Sequence, residues 1–262
     1  MVVALAHQVR KSGSVTNFDA PASMAEITLA TAHLLEDAAF LDDDGMRAPS
    51  TLPGWSRGHV LTHIARNADG LRNILTTASS GVVTPMYASN EARNADVEAG
   101  AGRPAAEILA DLEKSSELFT AAYEAVGAEQ WETPAYRTPD SDPLPARVLF
   151  GKRLGEVVVH HVDLDVDYTP AHWPETFTDT ALAECPTRFG GREDFPPLRL
   201  HVEESDEWLG IRADGDDAAV VAFHGPQRAL LAWIMGRASG DGLTVELAGG
   251  GRGPLPELPS WG

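Results

Sequence analysis

Apolar residues recur at helical spacing through four long stretches of the first two thirds of the chain. Ser23 with Glu26 three residues later makes a capping-box pattern, and Ile27, Ala30, Leu34, Leu35 and Ala38 continue it as one helical face. The aspartates and glycine at 42–45 end that helix. Ser56 is the natural N-cap of a second helix carrying Val60, Leu61, Ile64, Ala68, Leu71 and Leu75. The segment TPMYASNEARNADVEAG (84–100) reads as a loop. A third helix, opened by Pro104, follows through Ile108, Leu112, Phe119, Ala122 and Val126. Beyond the proline-rich stretch TPAYRTPDSDPLP, residues 146–168 (ARVLFGKRLGEVVVHHVDLDVDY) have no clean polar face through their centre, so the fourth helix is buried on most sides.

After about residue 170 the period changes. PPLRLHVEE, DEWLGIRAD, DDAAVVAFHG and GLTVELAG are short alternating or β-branched runs separated by turn residues, and read as strands. Helical patterns cover about 175–188 and PQRALLAWIMGRA. The fold class expected is α+β: a four-helix bundle over 23–170, a smaller α/β domain over 171–262, and a poorly ordered lead-in over 1–22.

Composition narrows the function. With 20 basic and 39 acidic residues the net charge is −19, which opposes a broad footprint on nucleic acid or an anionic membrane. The single cysteine, Cys185, excludes an intramolecular disulfide, and its surroundings mark it as structural filler. No apolar run is long enough to span a bilayer, and the N-terminus lacks a secretory pattern, so a cytoplasmic protein is expected.

The chemistry concentrates in the fourth helix. Glu156 and His160 are four residues apart and so project from one face, among Val157, Val158, Val159 and Val162. A carboxylate and an imidazole in such surroundings require compensation. One solution is a divalent metal; the other is a buried Glu/His pair satisfied by an arginine such as Arg153. His59 and His63 show the same spacing in the second helix, and His63, at the edge of the apolar stripe, is the better ligand. Two histidines and a glutamate leave a coordination position open, the arrangement of a catalytic zinc. His161 points about 100° away from His160 and packs or caps locally. Asp163 and Asn67 are candidates to orient the ligands from behind. In the 84–100 segment, Tyr87, Arg93 and Asn94 are candidates for contacting substrate or cofactor, and a short capped helix is the alternative reading. Arg237, closing an apolar helix, is well placed simply to interact with its carbonyl end.

Taken in order, GWSRGHVLTHIARNADGL, TPMYASNEARN, GEVVVHHVDL and MGRASGDG resemble the mycothiol-dependent maleylpyruvate isomerases of actinobacteria, over most of the chain from about Met24. The resemblance implies a DinB-like bundle, Zn2+ or another divalent metal on His63, Glu156 and His160, and Arg237 as the catalytic arginine. It implies mycothiol as thiol cosubstrate and a small-molecule substrate, maleylpyruvate, turned into fumarylpyruvate by thiolate addition, bond rotation and elimination. Gly155 and Val158 stand where the family would carry larger side chains. A mycothiol S-transferase acting on another electrophile is the alternative activity, and a non-catalytic small-ligand-binding module the alternative class.

Overall fold

The computed structural model describes residues 18–213, 220–247 and 250–261. Its helices are α1 (Ala20–Ala38), α2 (Asp43–Arg47), α3 (Arg57–Ser80), α4 (Asn90–Ala101), α5 (Ala105–Glu124), α6 (Ala146–Asp163), α7 (Glu175–Phe189) and α8 (Gln227–Ile234). Its strands are β1 (Pro134–Ala135), β2 (Leu144–Pro145), β3 (Leu198–Val202), β4 (Glu207–Ile211), β5 (Ala222–Gly225) and β6 (Thr244–Glu246). The described residues divide at Pro170 into two compact units.

In the first unit α3 is the central element, packing on α5, α6 and α4, while α1 lies on α6 and α5. Ser56 caps α3, its side chain accepting from the His59 backbone N–H while His59 Nδ1 accepts from Ser56 N–H. Gly81 ends the helix in the left-handed region at φ 74°, which only glycine adopts without strain. The apolar stripes meet in a core that includes Ile27, Leu34, Leu61, Ile64, Phe119 and Phe150. Val157, Val158 and Val159 are all buried, so α6 is enclosed on most sides as its sequence requires.

Three local expectations are corrected. The first helix begins at Ala20 with Asp19 as cap, so Ser23 lies inside it and residues 18–22 are not a loose lead-in; residues 1–17 lie outside the described ones. Asp42 and its neighbours do more than end α1, because the Asp42 carboxylate caps α2 by accepting from Gly45 N–H. The 84–100 segment is helical from Asn90, with the Ser89 hydroxyl accepting from Ala92 N–H. Its few apolar residues hide the period: Val97, Gly100 and Ala101 are the buried ones.

In the second unit the strand order is β4-β3-β5-β6, with β3 parallel to β5 and the outer pairs antiparallel. Leu198, Leu200 and Val202 alternate with Arg199 and His201; α8 packs on β3 and β5, and α7 on β4. Cys185 is fully buried in α7, and burial pushes its thiol up to about 12. No helix among the described residues is long and apolar enough to cross a membrane.

Candidate metal centre

The packing of α3 against α6 brings together residues almost a hundred positions apart. His63, Glu156 and His160 each offer a ligand atom, and these atoms all lie within 4.8 Å of one another. His63 Nε2 is 3.0 Å from Glu156 Oε2, and His160 Nε2 is 3.8 Å from the same oxygen. The two imidazoles cross edge to face, 4.7 Å between centroids. His63 is almost fully buried, whereas the Glu156 side chain keeps 31% of its exposure, so the group opens to one side.

The electrostatics suit ligation. Burial lowers the His63 imidazole to about 4, keeping it neutral at physiological pH. Burial alone would raise the Glu156 carboxyl; the hydrogen bond from His63 and the positive charge nearby, Arg153 included, outweigh it and hold the group at about 2. His160 Nδ1 lies 2.8 Å from Asp163 Oδ2, which leaves the Nε2 lone pair directed at Glu156. This carboxylate–histidine arrangement is the usual support of a metal-bound imidazole. Asp163 is buried and anchored by the Thr51 hydroxyl at 3.0 Å.

Other candidates gather around this core. Arg93, half-buried on α4, places Nη2 3.0 Å from His63 Nδ1. A guanidinium has only donors, so Nδ1 accepts and the His63 proton sits on Nε2, donated to Glu156. Asn67 accepts from buried Arg153 through Oδ1 at 2.8 Å and lies beside the Tyr87 phenol. Burial raises the Tyr87 phenol, helped by the Glu156 charge. Asn94 is exposed and accepts from Arg93 Nη1. Arg237 belongs to the second unit, just past α8, where its Nη1 donates to the Met235 carbonyl at 2.7 Å.

Arg153 does not hydrogen bond the Glu/His pair. It donates to the Ile64 carbonyl and to Asn67, with its guanidinium over Phe119. His161 is directed away, bonded to Asp37 at 2.9 Å and stacked on Tyr168. The sequence reading missed Thr51 and Trp55, the latter meeting His63 edge-on at 5.7 Å. Both sit in the loop before α3, where no periodicity could reveal them.

The donor set, two imidazole nitrogens and one carboxylate oxygen with a carboxylate behind one imidazole, fits a zinc-like divalent ion. Residues 27–165 match the family described as the mycothiol maleylpyruvate isomerase N-terminal domain. The whole chain is similar to the crystal structure of the mycothiol-dependent maleylpyruvate isomerase, with a TM-score of 0.83 and 27% identity, over 95% of this chain and 100% of that one. It is equally similar in shape, at 26% identity and the same coverage, to the structure of a histidine-to-alanine mutant of that enzyme. No curated protein matches the sequence.

Proposed function

The chain belongs to the mycothiol maleylpyruvate isomerase N-terminal domain family, and we propose on that premise that it is a mycothiol-dependent cis–trans isomerase converting maleylpyruvate to fumarylpyruvate. The observation that carries this reading is the convergence of His63, Glu156 and His160, with Asp163 behind His160, on one open-sided point. Bound there, a divalent cation would supply the Lewis acidity that brings the mycothiol thiol to its thiolate at neutral pH. The protein's own residues prepare for it: Glu156 is ionised, His63 is neutral, and Asp163 fixes the tautomer of His160.

Isomerisation requires the thiolate sulfur to add to the cis double bond, which is then single and can rotate; its electron pair moves onto the oxygen of the ketone conjugated with that bond, and returns to re-form the double bond, now trans, as the thiolate is expelled. Positive charge must be ready at that oxygen. Arg93 is a cation in hydrogen-bond contact with a ligand histidine, and Arg237 is assigned to a substrate carboxylate or the developing oxyanion. Tyr87, kept protonated by burial, remains a donor beside Asn67.

The deciding experiment is product analysis with and without mycothiol. Fumarylpyruvate formed only in its presence, with no net loss of thiol, is expected. A stable thioether would instead identify an S-transferase, and turnover without mycothiol would overturn the proposal. Purified protein should carry zinc at this centre, its stoichiometry falling by one in His63→Ala and unchanged in Arg237→Ala, which should lose turnover alone.

A further inference from the structure

Across the four-stranded sheet, on the face turned away from the buried Leu200 and Phe223, one row of side chains runs Trp208, His201, His224, Thr244 in register. The two imidazoles are adjacent on parallel strands, with Nδ1 facing Nδ1 at 3.2 Å. His201 Nε2 lies 2.7 Å from Asp206 Oδ1, so that nitrogen carries the proton and Nδ1 presents a lone pair. His224 Nε2 lies 3.4 Å from Glu246 Oε2 and has no hydrogen-bond partner among the described residues.

Neither tautomer of a neutral His224 satisfies both sides. With its proton on Nδ1 it bonds His201 but turns the Nε2 lone pair on the Glu246 carboxylate. With the proton on Nε2 it faces Glu246 favourably, but two Nδ1 lone pairs then confront each other. An additional positive charge removes the conflict, either as a second ring proton or as a cation between the two nitrogens. The separation suits the latter: at a metal–nitrogen distance of about 2.05 Å, ligand nitrogens lie about 3.3 Å apart in a tetrahedral site and about 2.9 Å apart as cis neighbours in a square plane. Each outer nitrogen faces a carboxylate, as the imidazoles of metal sites commonly do. Trp208 walls the pair, its ring 4.7 Å from His201 and 5.3 Å from His224, and Arg199 stacks on that indole.

We propose that His201 and His224 form a second, separate site for a borderline divalent cation of the zinc, nickel or copper type, ligated through both Nδ1 atoms and completed by water. The side chains remain about one fifth exposed, which leaves room for the remaining ligands.

The test is equilibrium dialysis of the full chain against Ni(II), with tryptophan fluorescence followed in parallel. The His63→Ala variant, lacking the first centre, is expected to take up one Ni(II) with quenching. Adding His201→Asn should weaken that uptake at least tenfold and abolish the quenching. Trp208→Phe should keep the uptake and lose the quenching. Asp206→Asn, at a largely exposed turn position whose φ of 57° asparagine also tolerates, should weaken uptake roughly 10–100-fold. In the unmutated background His201→Asn should lower the stoichiometry by one, whether or not the first centre binds metal. Ni(II) uptake by His63→Ala that is absent, or that is unchanged by His201→Asn, overturns the proposal and leaves a proton as the added charge.

Discussion

At the scale of single residues, the contact between Arg93 and His63 opposes the role assigned to that histidine. With Arg93 donating to Nδ1, the His63 proton must occupy Nε2, the nitrogen that faces Glu156 and would take a metal. A cation on Nε2 displaces that proton, and the neutral ring then holds its proton on Nδ1, which can no longer accept from Arg93. Metal binding therefore costs this charge-assisted hydrogen bond and frees the guanidinium for an anionic substrate. Arg93→Met is expected to tighten zinc about tenfold, close to the worth of one such bond, while lowering turnover; competition with a chromophoric chelator measures the first. Weaker zinc binding in the variant would show that Arg93 supports the ligand instead. The pH dependence of the metal-free chain follows from the same ring. Its folded value of about 4 lies below the ordinary 6.5, so the unfolded chain binds the proton first. Stability present above pH 6.5 should fall as the pH drops toward 4, and Glu156, held at about 2, continues the loss below its ordinary 4.5. Melting temperatures of chelator-treated His63→Gln should fall less steeply between pH 6.5 and 4 than those of the unmutated chain.

At the scale of elements, α3 does the most positioning, and it does so through close approach. A Cβ on Gly58 would lie 2.4 Å from the Ala101 carbonyl oxygen, and one on Gly100 would lie 2.4 Å from Thr62 Cγ2, so α3 and α4 touch where side chains are missing. This contact carries Arg93 to His63. Gly58→Ala meets backbone, which cannot rotate aside, and should destabilise the fold by about 1–3 kcal/mol in urea unfolding. It should also weaken the Arg93 contact. A neutral result would mean that α4 shifts at no cost. The long helices α3, α5 and α6 were legible because each buries a continuous stripe of apolar residues at helical spacing. The helix α4 was not, since its stripe reduces to Val97 and two small residues, and Asn, Asp and Glu occupy the rest. The capping-box spacing at Ser23 is real, but Asp19 offers a cap earlier and the helix propagates from there.

At the scale of the whole molecule, all three candidate ligands and Asp163 lie in the first unit, whereas Arg237 lies in the second. A fragment of residues 18–169 should therefore bind one zinc as tightly as the first centre of the full chain in the same competition assay, and show no isomerase activity. Loss of zinc binding by a folded fragment would mean that the second unit contributes a ligand. By itself the sequence determined which residues could serve: spacing alone puts Glu156 and His160 on one face, and the valines around them make that face expensive without a partner. It could not determine which partner each residue meets. The apolar stripe already favours His63 over His59 as a ligand, but only the seating of α3 on α6 shows that it meets Glu156, while His59 caps its own helix. The same holds for Arg93, Thr51 and the facing pair His201 and His224. Their roles arise from contacts between segments far apart in the chain, set by packing and strand register, to which local periodicity is blind.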